Sequence, residues 1–139
     1  MIIKKEFMRR LVNGFTLVEI MIVVGIIALL AAIAIPNLRL FRMSANDVLA
    51  QTTLKALSNS AEYYATTHES DYPGRIADLT QGEQAALARP YCDEGSISGL
   101  VYKCEMGVDG YVFTATPVAV GKTGSKTFVI KTGGILAEK

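Results

Sequence analysis

The chain carries the stretch GFTLVEIMIVVG at Gly14–Gly25, which opens an apolar run that continues to Ile35. The run from Phe15 to Ile35 has 21 residues, and Glu19 is the only charged residue among them. As an α-helix it would be about 31 Å long, close to the hydrocarbon thickness of a bilayer. An ionised carboxylate inside a membrane segment costs roughly 2.5–3.5 kcal/mol on insertion scales, so Glu19 requires a partner.

Charge is divided unevenly along the chain. The first 14 residues have a net charge of +3, and the remainder has about −2. The charged residues among the first 14 are Lys4, Lys5, Glu6, Arg9 and Arg10. The positive-inside rule would keep this start in the cytoplasm and place the C-terminal body across the membrane. A mildly acidic body argues against a nucleic-acid partner, because such binders rely on positive charge.

Three interpretations of the apolar run compete. A secretory signal peptide has a basic start, about 7–15 apolar residues and a small-residue cleavage site. The residues Ala32-Ile33-Ala34 could supply that site, but the run is too long and Glu19 would weaken it. A plain single-span anchor explains the length but leaves the carboxylate without a function.

Cleavage after Gly14 is the third interpretation. It would remove the basic leader and create an α-amino group on Phe15 at the membrane surface. Glu19 lies four residues further on, about one helical turn away, and has the opposite charge. Its carboxylate could pair with its own amine or with that of a neighbouring identical subunit, and the second pairing would set the register between subunits.

The sequence GFTLVE at Gly14–Glu19, between a basic leader and about twenty apolar residues, resembles the prepilin signature of type IV pilins and type II secretion pseudopilins. Pro36 matches the position of the helix kink in that family, and the resemblance covers residues 1–45. It implies that a prepilin peptidase cuts after Gly14 and N-methylates Phe15. It also implies polymerisation with identical or related pilin subunits on an inner-membrane assembly platform, in which Glu19 acts as the assembly residue.

Four segments are expected: a leader at 1–14, a transmembrane or filament-core helix at 15–36, an amphipathic helix at 37–69 and a head at 70–139. Because proline removes a backbone hydrogen bond, a kink or a short unwound stretch is expected near Ala32–Pro36. The second helix has an apolar stripe that is expected to pack on the head's own sheet, formed by Phe41, Ala45, Val48, Leu54, Leu57, Ala61 and Tyr64.

The head changes to a two-residue alternation of apolar and polar side chains. This alternation predicts strands at 99–104, 110–116, 127–131 and 135–137, separated by glycine-containing turns. The predicted fold is α+β and pilin-like. A long N-terminal α-helix, with a membrane half and an amphipathic half, packs on a small antiparallel β-sheet of three to four strands.

The head contains both cysteines, Cys92 and Cys104, with eleven residues between them. In an exported domain a disulfide is the expected pairing, and closing such a loop contributes about 3 kcal/mol in the chain-entropy model. A metal site is the alternative, but it needs further ligands and His68 is the only histidine. No metal or other cofactor is therefore expected.

Catalytic chemistry is not predicted. His68 has no serine or cysteine nucleophile tied to it and is expected to be an ordinary surface or core histidine. Acidic residues in the head could supply oxygen ligands for calcium, but their spacing follows no calcium-loop pattern; they are Asp93, Glu94, Glu105 and Asp109.

The functional hypothesis is a structural subunit of a type IV pilus, and not an enzyme. The subunit would cross the inner membrane once before assembly and then form part of an extracellular pilus. The alternative is a pseudopilin in a periplasmic pseudopilus of a type II secretion system. A monomeric, membrane-anchored periplasmic binding module is the third hypothesis.

Overall fold

The computed structural model describes residues 14–82 and 85–139, so the predicted leader lies outside the described residues except for Gly14. The chain divides into two compact units, Met1–Pro36 and Asn37–Lys139. Helix α1, Leu17–Thr67, has 51 residues and contributes to both units. Each unit is described by itself below.

The first unit contains the apolar part of α1. Its large apolar side chains, from Phe15 to Ile35, are 47–78% exposed, and the apolar residues occupy all sides of the helix. Pro36 lies inside α1 and the backbone is helical across Ala32–Pro36. The prediction of an unwound stretch is wrong, because the helix continues despite the backbone hydrogen bond that proline removes. The kink remains a prediction.

The second unit contains a short helix and a sheet. The elements are α2 (Ala77–Thr80), β1 (Ser96–Ile97), β2 (Leu100–Gly107), β3 (Gly110–Pro117), β4 (Phe128–Lys131) and β5 (Ile135–Glu138). All strand pairs are antiparallel, and the strand order β1-β2-β3-β4-β5 follows the chain. The α+β class and the long helix packed on an antiparallel sheet are confirmed.

The sheet has five strands, one more than the upper limit of the prediction. The additional strand is β1, which has two residues and therefore no detectable alternation. It pairs with β2 through a tight turn in which Ser98 and Gly99 have φ values of 53° and 77°. Two positive φ values match the hairpin turns that suit the twist of antiparallel strands.

The core lies between the second half of α1 and one face of the sheet. Ala50, Leu54, Leu57 and Ala61 are fully buried at helical spacing. They belong to one cluster with the buried strand residues, chiefly Leu100, Tyr102, Tyr111, Phe113, Ala115, Phe128 and Ile130.

The predicted helical stripe is therefore correct only in part. Leu54, Leu57 and Ala61 are in the core, whereas Phe41 and Val48 are 71% and 58% exposed. The reason is the extent of the sheet, since the first fully buried helical residue is Ala50.

Cys92 and Cys104 form the predicted disulfide, with their Cα atoms 5.8 Å apart. Cys104 lies in β2, and Cys92 lies in the segment that precedes β1. The bond therefore attaches that segment to the outer edge of β2, beyond the two residues that β1 covers. Both cysteines are used in this way, so the metal alternative has no thiolate ligand.

A hydrogen-bond network around Glu62 joins α1 to three other parts of the head. Its carboxylate accepts hydrogen bonds from the hydroxyl of Tyr111 in β3 (2.7 Å), from the hydroxyl of Tyr72 (3.0 Å) and from the backbone N–H of Gly133 in the β4–β5 turn (2.8 Å). The Tyr111 oxygen also lies 2.6 Å from the Ser58 hydroxyl. Because Tyr111 donates to an acceptor-only carboxylate, Ser58 is the donor in that bond.

The network changes the acidity of its members. Burial alone would raise the pKa of Glu62, but the bonds from Tyr111, Gly133 and Tyr72 outweigh it and lower the pKa. Burial, together with the Glu62 carboxylate, raises the pKa of Tyr111 to about 12. The tyrosine therefore remains a donor and the glutamate an acceptor throughout the neutral range.

The network predicts a specific acid sensitivity. The folded pKa of Glu62 is lower than the unfolded value, so its stabilisation is complete above the unfolded pKa and is lost as the pH falls through the folded pKa. We expect Glu62→Gln to lower the free energy of unfolding at neutral pH by about 1 kcal/mol. The free energy of unfolding of this variant should also fall less steeply as the pH drops below the range in which carboxyl groups usually titrate. Urea unfolding of the full chain in micelles, as a function of pH, measures both effects. Asp93→Asn is the matched control, and an unchanged pH dependence in Glu62→Gln would contradict the assignment.

Candidate functional site

The candidate site is the N-terminal end of α1, where the sequence motif leads into the helix. Gly14, Phe15 and Thr16 precede the helix, which begins at Leu17. The Thr16 hydroxyl accepts a hydrogen bond from the Glu19 backbone N–H (3.2 Å), and its carbonyl accepts one from the Ile20 N–H (3.3 Å). Thr16 is thus the N-cap of α1, with Glu19 at the third helical position.

Threonine and glutamate in these positions have the sequence pattern of a capping box, and the structure shows the hydrogen bond that the threonine makes in it. The threonine satisfies one of the N–H groups that have no partner at the start of a helix. A carboxylate in the first turn is also favoured by the positive end of the helix dipole. Glu19 is therefore suited to this position within its own helix, before any second chain is considered.

The role of Thr16 was not identified from the sequence, although the signal was present. A threonine followed three residues later by glutamate, directly before an apolar run, is the recognised signature of a helix start. Neither the length of the apolar run nor the charge of Glu19 reveals this hydrogen bond, which depends on the threonine alone.

The two residues expected to carry the charge pair are both accessible. Phe15 is 78% exposed and Glu19 is exposed, and none of the ion pairs among residues 14–82 and 85–139 includes Glu19. The apolar part of α1 that follows is, by length and composition, the one described helix able to cross a membrane. The arrangement offers an acceptor-only carboxylate four residues after Phe15, whose amine would be created by cleavage of the preceding peptide bond.

The other predicted site residues lie elsewhere. Pro36 is inside α1, and Cys92 and Cys104 are in the head. His68 is exposed and its ring stacks on that of Tyr64, with centroids 3.8 Å apart. It is thus a surface histidine that packs against its own helix.

The acidic residues weighed for calcium do not converge. Glu94 pairs with Arg89, and Glu105 pairs with Lys103. Within the described part of the chain, no three histidine, cysteine or acidic residues are grouped closely enough to hold a metal ion.

Comparisons with known proteins match the segment that contains these residues. A family model described as the prokaryotic N-terminal methylation motif matches residues 9–35. The chain is 35% identical to the type IV wide pilus major component PilA4 of Thermus thermophilus over 107 residues, which is 76% of this chain and 82% of that protein.

Two further relatives match shorter parts. The chain is 45% identical over 66 residues to the type IV major pilin protein PilA of Myxococcus xanthus, covering 46% of this chain and 30% of that protein. It is 36% identical over 78 residues to the type II secretion system core protein G of Vibrio cholerae, covering 56% of this chain and 50% of that protein. No solved structure matches the chain.

The capping geometry predicts a measurable effect of Thr16. Thr16→Val keeps the shape of the side chain but removes the acceptor, and the loss of a cap costs about 1 kcal/mol. We expect the Glu19 amide to exchange with deuterium about fivefold faster, because 1.4 kcal/mol corresponds to a factor of ten. Hydrogen–deuterium exchange of the full chain in micelles measures this, with Thr16→Ser as the control that keeps a hydroxyl. Equal exchange in the valine variant and the wild type would exclude the cap.

Proposed function

Because the chain belongs to the family of type IV pilins and type II secretion pseudopilins, we propose that it is the structural subunit of a type IV pilus, polymerised through the N-terminal part of α1. It acts through assembly and not as an enzyme. Its partners are identical or related subunits, the prepilin peptidase and an inner-membrane assembly platform. The subunit crosses the inner membrane once before assembly and becomes part of an extracellular filament afterwards.

One observation carries this proposal: the large apolar side chains from Phe15 to Ile35 are all exposed. Exposed apolar area costs about 25 cal/mol per Å² in water, and patches of this size are signs of a membrane or protein interface. Lipid covers these side chains in the membrane, and the same helices of other subunits cover them in the filament. A helix with apolar residues on every side suits both environments.

Maturation supplies the partner that Glu19 needs. The peptidase cuts after Gly14, removes the basic leader and methylates the new amine of Phe15. This amine is unfavourable at the positive end of a helix dipole, so a carboxylate beside it is stabilising. An unpaired carboxylate is unfavourable in lipid, and pairing with the Phe15 amine of the adjacent subunit removes this cost. Assembly is therefore favoured.

A pilus is favoured over a secretion pseudopilus by the extent of the matches. The Thermus pilus component is matched over 82% of its length, and the core protein G of Vibrio cholerae over 50%. The pseudopilin is the second candidate because core protein G of Aeromonas hydrophila is also 32% identical over 66% of its length. Deleting the gene separates the two functions: loss of sheared surface fibres with normal protein secretion supports the pilus, and loss of secretion without loss of fibres overturns it.

The charge pair gives the sharpest test of assembly. Glu19→Gln keeps the size of the side chain but leaves the Phe15 amine of the neighbour without a counter-charge in a low-dielectric environment. Removing one member of such a pair costs about 3–5 kcal/mol, so we expect at least a tenfold loss of filaments. Electron microscopy and immunoblotting of sheared surface fibres measure it, and mass spectrometry should show a normally cleaved and methylated Phe15. Asp93→Asn removes a carboxylate from the head as the control, and wild-type yields in Glu19→Gln would refute the pairing.

Gly14 is the residue expected to decide processing. A Cβ atom at Gly14 would meet nothing within 4 Å among the described residues, so the described structure leaves space for a side chain at this position. We expect Gly14→Leu to accumulate as full-length precursor in the membrane, because the peptidase requires a small residue at the cut. Gly25→Leu, in the middle of the apolar run, is the control and should be cleaved normally. Intact-mass measurement of membrane fractions distinguishes the two forms; efficient cleavage of Gly14→Leu would disprove the site.

A further inference from the structure

The loop after β3 exposes two apolar side chains. We name residues Val118–Thr123 the valine loop. Val118 and Val120 are 60% and 71% exposed, and they alternate with the half-buried Ala119. The loop closes on itself, because the Thr123 N–H donates to the Ala119 carbonyl (2.9 Å) and the Ala119 N–H donates to the Thr123 hydroxyl (3.0 Å).

Helix α1 holds the valine loop in place. The side-chain amide of Asn46 donates to the Thr123 carbonyl (2.7 Å), and the Asp47 carboxylate accepts from the Ser125 N–H (2.9 Å). A Cβ atom added to Gly124 would lie 3.0 Å from both Asp47 and Pro117, so the backbone packs directly on the helix. The two valines are therefore presented in a fixed position, and little conformational entropy is lost when a partner covers them.

The opposite end of the head exposes a third valine. Val108 is 62% exposed in the β2–β3 turn, next to Asp109. Its carbonyl accepts a hydrogen bond from the Tyr72 N–H (3.3 Å), which brings the turn after α1, with Glu69 and Asp71, to the same end. Strand β3, with 8 residues, lies between Val108 and Val118 and is about 24 Å long in an extended conformation.

The two ends carry opposite charge. The valine loop contributes Lys122, and Arg42 and Arg39 lie one and two turns before Asn46 on α1. At that end Asp47 is bound to Ser125, and Lys126 is paired with Glu138.

The Val108 end carries the carboxylates of Glu69, Asp71 and Asp109. Lys131 lies at the same end, because it pairs with Val112 near the start of β3. In the described part of the chain, none of these four residues is in an ion pair.

We propose that the valine loop of one copy docks on the β2–β3 turn of a second copy, with Val118 and Val120 against Val108 and Lys122 against Asp109. This inference rests on the proposed function, since it names a head-to-head contact within the filament. The two surfaces lie at opposite ends of the same head, so the contact is heterologous and repeats without closing, as a filament requires. An apolar centre with complementary charges around it is the usual arrangement of a specific interface.

Charge reversal tests the contact in cells that produce the filament. We expect Lys122→Glu and Asp109→Lys each to lower the yield of sheared filaments by about tenfold, because like charges placed against each other are repulsive. The double variant should return to within about twofold of the wild type, as interacting pairs are non-additive. Lys55→Glu, the same charge change in the middle of α1, is the control and should leave the yield unchanged. Equal yields in both single variants, or no recovery in the double variant, overturn the contact.

Cross-linking provides an independent measurement. A carbodiimide couples a carboxylate to an amine only when the two are in contact, and within one head Asp109 and Lys122 are at opposite ends of β3. A linked peptide containing both residues, recovered from purified wild-type filaments by mass spectrometry, therefore comes from two copies. Its absence, with Lys122 linked only elsewhere, refutes the contact. If every head variant forms filaments normally and Glu19→Gln does not, this inference is rejected and the proposed function stands. If the wild type forms no filaments, both are rejected.

Discussion

The structure depends on one constraint: the chain cannot bury the apolar residues between Phe15 and Ile35 by itself. The core of the head begins at Ala50, and everything before it on α1 is exposed or half-exposed in the described residues. A helix with apolar residues on all sides needs a non-aqueous environment on all sides. A membrane supplies that environment, and so do the same helices of other subunits in the filament that we propose.

Glu19 belongs to two levels of organisation at once. Within its own helix it completes the first turn, where Thr16 caps its N–H and the helix dipole favours its charge. In the assembly that we propose, it also offers a counter-charge to the amine that cleavage would create on a neighbouring subunit. The first role gives the carboxylate a defined place at the helix start, and the proposed second role would set the register between subunits. The two roles together would offset the cost of a carboxylate in lipid.

The long-range pattern of apolar residues in the sequence was sufficient to predict the long helix, the α+β class and the antiparallel sheet. Tyr111, Phe113 and Ala115 alternate inward, as do Phe128 and Ile130, and the disulfide joins the only two cysteines. Features of short range or of tertiary origin could not be predicted in this way. The two residues of β1 have no periodicity, and the bonds of Glu62 join segments 10 to 71 residues apart. The exposure of Phe41 and Val48 depends on where the sheet ends, which helical periodicity does not reveal.

The order of the strands has a consequence for how the head forms. Every strand of the sheet pairs with its neighbour in the chain, and the disulfide spans a sequence separation of only 12 residues. Folding rates rise as contacting residues lie closer in sequence, because less loop entropy is lost before the contacts form. The packing of the second half of α1, the bonds of Glu62 and the bond from Tyr72 to Val108 join partners that are more distant in sequence. The hairpins of the sheet therefore cost less loop entropy to form than the docking of the sheet on the helix does.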